Sequence, residues 1–521
     1  MITDLLTQHS AATPDAPFVI TRDKHYTYAE IHLAARQFAT KLAQLGVGPG
    51  KHVALLAGNS AAYVVAWLGI SLRGGVAVTL NNQLLGDGLS YLVEQCDACV
   101  LVVDRAWEDS RGTTLGPDLA ALPRVIIEDD SHFFDSIAAL QPAAPEAVPG
   151  RAPCTIMYTS GTTGLPKGVV NSHDAYKATG LATVRALGID ATDRIMVFMP
   201  LFHVNPQMYA VMSALTSGAS IIVLPKFSAS GFFDDAIQFG ATGCTYVGTV
   251  LSILVARHKT ARRDHGLRFF FGGGAPNLVW KAVEDQFGIR VHEAYGMTEA
   301  GGWTTCNTVN DYRFGSCGKP RPDLEVCIVD ADDNLLPAGS VGEIVVRPRA
   351  PNTILLGYYK RPELTVEACH NLWFHTGDIG RFDDDGFMYY HGRMKELIRR
   401  NGEMISPAEI ETMLRGMDGI DDCAVVGVAD DIAGDEIKVS IVLGAGITLE
   451  PVAVNAYLAN HLPPFMLPRY VEFITSIPKT ETEKIQRNKL QYLDARVHDL
   501  KSGRPVDTRL SASEPTPASA S

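Results

Sequence analysis

The sequence predicts an α/β protein with a large N-terminal domain and a small, mobile α+β domain at its C-terminal end. Up to about residue 150, short apolar stretches at 53–56, 76–80 and 100–103 alternate with helical patterns. Such alternation is typical of a parallel sheet covered by helices, and a second run of this kind follows. Over residues 317–359 the pattern changes to short strands separated by turns, which predicts a β-barrel-like subdomain.

The first α/β run begins with a helix start signal. Thr27 and Glu30 have the spacing of a capping box, so we expect a helix from there through Leu42. Residues 53–72 carry no charge and resemble a membrane span in length. Gly58-Asn59-Ser60 interrupts them, so we predict a strand, a turn and a buried helix, and no membrane span.

Composition limits the function classes. The chain has 521 residues, 46% of them apolar, and a formal net charge of −13. This charge argues against general binding of nucleic acid or anionic membranes. The nine cysteines are scattered, and Cys96 and Cys99 lack a second pair, so we expect buried, reduced thiols. Residues 1–4 show no secretory signal, and a cytoplasmic location is predicted.

The segment 158–168 has the chemistry of a phosphate-binding loop. It follows the β-prone run 154–157 and contains five hydroxyl side chains, three glycines and Lys167. Glycines let the backbone approach a ligand, and hydroxyls, N–H groups and a lysine bind anionic oxygens. It is not a Walker A motif, because no Ser or Thr follows Lys167. The alternative is an ordinary flexible loop.

Two later segments suit other parts of a nucleotide. At 269–276 a strand runs into Gly272-Gly273-Gly274, where a flat ring can lie on bare backbone, although a tight turn is the alternative. At 295–299, Tyr295, Thr298 and Glu299 supply an aromatic ring, a hydroxyl and a carboxylate. Mg²⁺ favours one or two carboxylates together with phosphate oxygens, so Glu299 is the predicted metal ligand.

Segment 158–168 resembles the phosphate-binding signature of the adenylate-forming superfamily, which comprises acyl-CoA synthetases, peptide-synthetase adenylation domains and beetle luciferases. The later motifs follow in the family's order. The resemblance implies that Tyr295 stacks on adenine, Thr298 meets the α-phosphate and Glu299 holds Mg²⁺. The residues that it places around the nucleotide and the thiol are Thr159, Ser160, Gly161, Thr162, Thr163, Gly164, Lys167, Gly274, Ala275, Pro276, Tyr295, Gly296, Asp378, Arg393, Lys395 and Gly402.

Within this set, the resemblance assigns the ribose hydroxyls to Asp378 and Arg393, with a solvated ion pair as the alternative. It makes Lys395 the hinge between domains 1–394 and 395–495, and it interprets 496–521 as a disordered tail. The lysine that bridges the substrate carboxylate and the nucleotide falls on Lys484. Most members have glycine before that lysine, whereas this chain has Glu483. Lys479 and Lys489 are the other candidates, and a basic loop without a catalytic task is the alternative.

Segments 200–207 and 480–484 look most like the crotonobetaine/carnitine–CoA ligase branch. In that branch His203 occupies the position that gates the tunnel between acyl pocket and thiol, although it is also suited to a structural role. Trp303 could shorten the pocket, offer a cation–π face to a quaternary ammonium, or be plain core. The predicted pocket residues are Val204, Met208, Val247, Gly248, Thr249, Gly273, Met297, Gly301, Gly302 and Trp303.

The function implied is an ATP-dependent acid–thiol ligase. It activates a small-molecule carboxylic acid as acyl-AMP, releases pyrophosphate and transfers the acyl group to coenzyme A. ATP, Mg²⁺ and coenzyme A are therefore the expected cofactors. The alternatives are transfer to a carrier protein or an amine, and a nucleotide-binding regulator without chemistry. The sequence leaves the acid and the oligomeric state open, with a homodimer as one alternative.

Overall fold

The computed structural model describes residues 1–83, 86–111, 121–159, 166–401, 403–430, 433–479 and 485–506. The chain divides into two compact units. The first consists of Met1–Gly339, Val345–Thr376 and Phe382–Tyr389, and the second of Ser340–Ile344, Gly377–Arg381 and Tyr390–Ser521.

The first unit contains two α/β layers, as the sequence predicts. One sheet has the spatial order Gly357–Tyr358, Lys167–Ser172, Pro153–Thr159, Val76–Thr79, His52–Leu56, Ala98–Asp104 and Arg124–Ile127. The other has the order Lys319–Pro320, Gly302–Cys306, Arg290–Met297, Phe269–Gly273, Gly243–Val247, Arg194–Val197, Ser220–Val223, Pro17–Ile20 and His25–Thr27. The central strands of both sheets are parallel, and ligands of such sheets bind at the carboxyl ends of the strands.

Helices connect these strands. They are Thr3–Ala12, Tyr28–Gln44, Ala61–Leu72, Gly86–Gln95, Arg105–Arg111, Asp130–Ala138, His173–Leu187, Met212–Ser217, Phe232–Phe239, Gly248–Arg257, Asn277–Phe287 and Pro362–Ala368, with a π-helix at Asn205–Val211. The predicted capping box is confirmed, since the Thr27 side chain accepts from the Glu30 N–H and the Glu30 side chain accepts from the Thr27 N–H.

The uncharged stretch at 53–72 forms the strand His52–Leu56 and the helix Ala61–Leu72, as predicted. Every residue of that helix is buried, because it packs in the main core of the first unit beside Tyr28–Gln44. Within the described ranges, no helix has both the length and the apolar character needed to cross a bilayer.

Short strands also occur in and after the range 317–359. Leu324–Val329 and Gly342–Pro348 lie within that predicted range, and Cys369–His370, Trp373–Phe382 and Met388–Arg393 follow it. Cys369–His370 and Trp373–Phe382 form a hairpin in which His370 lies opposite Trp373. The turn residues Asn371 and Leu372 have φ of 48° and 66°, which is the left-handed backbone of a tight two-residue hairpin turn.

The second unit is the predicted α+β module. Its strands are Ile398–Arg400, Glu403–Ile405, Ile420–Asp430, Gly434–Leu443, Tyr470–Phe473, His498–Asp499 and Arg504–Pro505, and its helices and helical turns are Met394–Glu396, Pro407–Leu414, Pro451–Ala459, Pro464–Met466 and Arg487–Lys489. Ordered structure therefore continues past residue 496, where the sequence predicts a tail. His498 pairs with Val471, so the edge of the sheet holds this part of the chain.

A buried ion pair joins two strands of this unit. Lys438 and Glu472 are both fully buried, and the Lys438 Nζ lies 2.9 Å from a Glu472 carboxylate oxygen. Burial lowers the pKa of Lys438. The Lys438 ammonium also donates to the carbonyls of Leu490 and Tyr492, so it fastens the segment that follows Lys484 to the sheet.

Glu472→Gln should destabilise the second unit by about 3–5 kcal/mol, because the substitution leaves a buried ammonium without its counter-charge. Hydrogen–deuterium exchange should then accelerate in Gly434–Leu443 and Tyr470–Phe473. The control is Asp494→Asn, which removes an ion pair to Arg496, whose side chain is 67% exposed. This change should cost less than about 1 kcal/mol. Equal losses of unfolding free energy in the two variants would show that the buried pair contributes no more to stability than the exposed one.

Candidate active site

The two strands that flank the predicted phosphate loop form an antiparallel hairpin. Thr159 at the end of Pro153–Thr159 lies opposite Lys167 at the start of Lys167–Ser172. The hairpin therefore places the hydroxyl and the lysine at the two ends of the loop. The predicted contacts Ser160, Gly161, Thr162, Thr163 and Gly164 lie outside the described residues.

Glu299 is brought to the end of this hairpin. The Thr159 hydroxyl donates to Glu299 Oε1 over 3.1 Å, and the Tyr358 hydroxyl donates to the same oxygen over 3.3 Å. Glu299 is 7% exposed, and its backbone carbonyl accepts from the Leu355 N–H. Thr159 and Tyr358 are 140 and 59 positions from Glu299 along the chain, and the fold brings both to the same carboxylate oxygen.

Sequence reasoning missed Tyr358. Its strand Gly357–Tyr358 pairs with the far strand of the phosphate hairpin, where it lies opposite Val169. The Lys167 Nζ lies 5.1 Å from the centroid of the Tyr358 ring. Burial raises the pKa of Tyr358, so the phenol keeps the proton that it donates to Glu299. No local pattern around Tyr358 signals this role, because the partner strand is remote in sequence.

The residues at this point fit a magnesium ion. Mg²⁺ takes oxygen ligands and is held by one or two carboxylates together with substrate phosphates. The buried Glu299 carboxylate, beside the Thr159 hydroxyl, is such a donor set. Thr298 is fixed next to it, because its carbonyl accepts from the Asn171 side chain over 3.3 Å.

The predicted adenine loop, Gly274-Ala275-Pro276, follows the strand Phe269–Gly273 and precedes the helix Asn277–Phe287. A carboxylate that the sequence analysis did not single out holds this loop. Glu293 accepts from the N–H groups of Gly274 over 2.6 Å and Ala275 over 3.2 Å, and it also accepts from the Tyr246 hydroxyl. Burial raises the pKa of Glu293 to about 7.

Glycines allow the backbone to pack closely around this loop. A Cβ on Gly248 would lie 1.7 Å from the Gly274 carbonyl oxygen, and one on Gly273 would lie 2.5 Å from the Ala294 carbonyl oxygen. On the next strand, a Cβ on Gly296 would lie 2.4 Å from the Gly302 carbonyl oxygen. Tyr295 lies on that strand, two residues from Glu293, and is 7% exposed. The backbone itself therefore requires glycine at 248, 273 and 296.

Strand pairing brings several of the predicted acyl-pocket residues side by side. Met297 lies opposite Gly302, and Val247 lies opposite Gly273. Gly302, with φ of 98°, also lies next to Met208 and Tyr209, and Met297 packs with Val169 and Leu355. Val247 is 41% exposed, Val204 is half-buried, and Gly301 adopts φ of 67° against the Thr353 carbonyl. Thr249 lies in the first turn of Gly248–Arg257.

Trp303 has the surroundings of a core residue. It is 2% exposed, and its indole N–H donates to the Thr183 hydroxyl over 2.8 Å. The fully buried Arg321 guanidinium lies 5.6 Å from the ring centroid, and it donates to the Trp303 carbonyl. The protein's own cation thus lies beside this ring, which favours the core interpretation over a face for a quaternary ammonium.

His203 lies in a fixed segment ahead of the π-helix Asn205–Val211. Its backbone N–H donates to the Pro200 carbonyl, and its ring lies 4.4 Å from that of Phe202. The Thr79 hydroxyl donates to the Phe202 carbonyl over 3.1 Å. The end of the strand Val76–Thr79 therefore positions the predicted gate.

The remaining candidates belong to the second unit. Arg393 Nε lies 3.3 Å from Asp378 Oδ1, and Asp378 is 3% exposed, so the two predicted ribose residues form an ion pair. Lys395 lies in the helical turn Met394–Glu396. Gly402 and Lys484 lie outside the described residues. Of the other lysine candidates, Lys479 pairs with Asp422 over 2.7 Å and Lys489 lies in the turn Arg487–Lys489.

Comparisons with known proteins show which chains this protein is similar to. The chain is 30% identical over 498 residues to a sulfoacetate–CoA ligase of Cupriavidus necator, which covers 93% of this chain and 96% of the relative. It is 29% identical over 488 residues to a crotonobetaine/carnitine–CoA ligase of Salmonella typhi, which covers 90% and 93% of the two chains.

Solved structures show the same fold. ATP-bound MatB from Rhodopseudomonas palustris superimposes with a TM-score of 0.87 at 26% identity, covering 94% of this chain and 98% of the other. The anthranilate CoA ligase AuaEII in complex with anthranoyl-AMP gives a TM-score of 0.85 at 26% identity, covering 96% and 97%.

The family profiles cover most of the chain. The AMP-binding enzyme profile matches residues 6–359, and the profile of the AMP-binding enzyme C-terminal domain matches residues 409–484. The predicted superfamily is confirmed. Crotonobetaine/carnitine–CoA ligases are among the relatives, as the sequence suggests, whereas the sulfoacetate–CoA ligase was not anticipated. This protein belongs to the AMP-binding enzyme family, the adenylate-forming superfamily that its motifs predict.

Proposed function

We propose that this AMP-forming acyl-CoA synthetase binds MgATP against Thr159, Lys167 and Glu299, adenylates a small carboxylic acid there, and passes the acyl group to coenzyme A. The observation that carries the proposal is the convergence of the Thr159 and Tyr358 hydroxyls on the buried Glu299 carboxylate, at the base of the hairpin that carries Lys167. A hydroxyl, an ammonium and a carboxylate at one point suit a polyphosphate and its counter-ion.

In the adenylation step these residues must offset negative charge. A carboxylate is a poor electrophile, and bringing it to a polyphosphate sets two anions against each other. Mg²⁺ held by Glu299 would neutralise phosphate charge as that charge develops. Lys167 supplies a further cation, and the Thr159 hydroxyl can donate to a phosphate oxygen. Donors that are fixed in advance are worth more than mobile ones, because they need no reorganisation during the reaction.

We assign the adenine to the loop Gly274-Ala275-Pro276 and to the Tyr295 ring, and the ribose hydroxyls to Asp378 and Arg393. Glu293 supports the first assignment, because it fixes two N–H groups of the loop. Lys484 bridges the two reactants in the first step, and it must leave before a thiol can reach the acyl carbonyl. A rotation of the C-terminal domain about Lys395 would allow the same nucleotide-binding residues to serve both steps.

The experiment that tests this function supplies ATP, Mg²⁺ and a panel of carboxylic acids. AMP release is measured with coenzyme A, with a holo-carrier protein and with amines in separate reactions, and products are identified by mass spectrometry. We expect an acyl-CoA thioester that depends on both ATP and coenzyme A. If AMP release and acyl transfer to a carrier protein or an amine are as fast without coenzyme A as with it, the protein is not a CoA ligase but an enzyme that acylates the carrier or the amine.

The panel should include sulfonated, quaternary-ammonium, dicarboxylic and aromatic acids. The similar proteins are named for sulfoacetate, crotonobetaine, carnitine and anthranilate, so sequence and structural similarity do not identify one acid. The surroundings of Trp303 support an acid without a quaternary ammonium. The cytoplasmic location and a homodimer stay predictions, and light scattering of the purified protein would test the second.

Glu299→Gln should slow acid-dependent ATP–pyrophosphate exchange by about 10²–10³, or about 2.7–4 kcal/mol, because it removes the charge that holds Mg²⁺. Tyr358→Phe removes one hydrogen bond to the same carboxylate and should cost only about 1 kcal/mol. The exposed Glu363→Gln serves as the control. Wild-type exchange in Glu299→Gln at every Mg²⁺ concentration would rule out the metal assignment.

Lys484→Ala should slow adenylation by about 10²–10³ while sparing thioester formation from supplied acyl-adenylate, because the lysine acts only in the first step. The matched control is Lys489→Ala, which removes an exposed lysine from the nearby turn Arg487–Lys489. Both half-reactions are followed by single-turnover kinetics. Equal loss in both half-reactions of Lys484→Ala would refute the division of roles.

Glu293 gives the protein a pH-dependent stability. Since burial holds its pKa at about 7, above its usual range, the folded state binds this proton more tightly than the unfolded chain does. The stabilisation is complete below the unfolded pKa of about 4.3, and it is lost as the pH rises through about 7. Glu293→Gln cannot titrate, so the Tm of the wild type relative to that of the variant should fall between about pH 5 and pH 8. Parallel Tm profiles, recorded by scanning fluorimetry, would contradict the ionisation of Glu293 in this range.

A further inference from the structure

We propose that Asp333, His370 and His375 form a binding site for a divalent transition metal of the zinc class, separate from the residues assigned to catalysis. One ligand atom from each side chain lies within 4.8 Å of the other two. All three residues belong to the first unit. None of them takes part in the adenylation chemistry proposed above.

The hairpin presents both imidazoles on one face. His370 lies opposite Trp373, and side chains two positions apart on a strand share a face, so His370 and His375 are diagonal neighbours. Their ring centroids are 3.6 Å apart and the planes differ by 5°. The tight turn at Asn371 and Leu372 fixes this register.

Asp333 completes the set from a turn. It adopts φ of 62°, and its N–H donates to the Asp330 carbonyl over 3.2 Å. The Asn371 side-chain amide donates to its carboxylate. His370 Nε2 lies 3.6 Å from one carboxylate oxygen, and His375 Nε2 lies 3.9 Å from the other. Ligand atoms around a tetrahedral zinc ion are about 3.4 Å apart, so the cluster has nearly the required span.

The hydrogen bonding of His370 suits metal binding through Nε2. Its Nδ1 lies 2.9 Å from the Glu367 carbonyl oxygen, which can only accept, so Nδ1 is the donor and Nε2 is the nitrogen left to bind a metal. Histidines that bind metals generally donate their other ring N–H to a carbonyl or carboxylate. Because the two rings are parallel, the His370 ring must turn about its Cβ–Cγ bond to direct both Nε2 atoms at one ion. This turn loosens the stacking on His375 and the hydrogen bond to the Glu367 carbonyl, and the side chain is 48% exposed, so water can replace these contacts.

The donor set selects the class of metal. Two imidazole nitrogens and one carboxylate suit Zn²⁺, Ni²⁺ or Cu²⁺, whereas Mg²⁺ and Ca²⁺ take oxygen ligands. Three protein ligands leave one tetrahedral position for water. Binding would join the turn that carries Asp333 to the hairpin that leads into Thr376, Gly377 and Asp378.

The test is a titration of the tag-free, chelator-treated full chain with zinc chloride, without ATP or Mg²⁺. Calorimetry and elemental analysis should show one tightly bound zinc ion per chain, and zinc should raise the Tm. His370→Ala and His375→Ala should each weaken binding at least tenfold. His370→Ala changes an exposed side chain, so it keeps the test valid if the less exposed His375→Ala variant fails to fold.

Two controls separate this site from adventitious binding. His132→Ala removes an exposed histidine that pairs with Asp129 alone, and Cys369→Ser removes the exposed thiol beside His370. Both variants should bind zinc as the wild type does. The proposal is overturned if the double variant His370→Ala/His375→Ala binds zinc as tightly as the wild type, if the wild type binds none, or if Cys369→Ser abolishes binding.

Discussion

The hydrogen bond from Thr159 to Glu299 is the contact on which the candidate active site depends, because it joins two separate sheets. Thr159 ends a strand of one sheet, and Glu299 follows a strand of the other. The segment 353–358 reinforces the junction, since Leu355 donates to the Glu299 carbonyl while Tyr358 pairs with Val169. The two side-chain donors to Glu299 are neutral hydroxyls, so the carboxylate is positioned without losing its attraction for a cation. A carboxylate that is held in place but keeps its charge is suited to bind the cation that a reaction between two anions requires.

Close backbone packing is the second constraint on the site, and it explains why glycines crowd the motifs. Side chains at Gly248 and Gly296 would meet carbonyl oxygens well inside contact distance. Glu293 accepts from the N–H groups of the turn after Phe269–Gly273, and it is buried there. The raised pKa of Glu293 is a consequence of this burial, and the hydrogen bonds to the loop act in the opposite direction.

Sequence patterns predicted the order of the elements, because alternation and capping are local properties. The strands near residues 53, 76 and 100 and the box at Thr27 needed no knowledge of distant partners. The same reasoning could not find Tyr358, whose role arises from pairing with a strand almost 190 residues earlier. Nor could it decide between the alternatives for Trp303, since these depend on tertiary surroundings such as Arg321 and Thr183. Motifs whose residues are adjacent in the sequence were thus predictable, whereas contacts between residues that are distant in the sequence were not.

In the second unit, the residues on both sides of the predicted catalytic lysine are anchored by charged contacts. Before Lys484, Lys479 forms an antiparallel bridge with Ile485 and an ion pair with Asp422. After it, Arg487 binds Glu396 and Glu411 and donates to the Val425 carbonyl, and Lys438 holds the carbonyls of Leu490 and Tyr492. Charged hydrogen bonds of this kind are worth about 1.5–3 kcal/mol each. These contacts therefore anchor the described residues before and after the lysine segment. Since Glu396 directly follows the predicted pivot Lys395, the Arg487–Glu396 pair ties that segment to the pivot within a single unit.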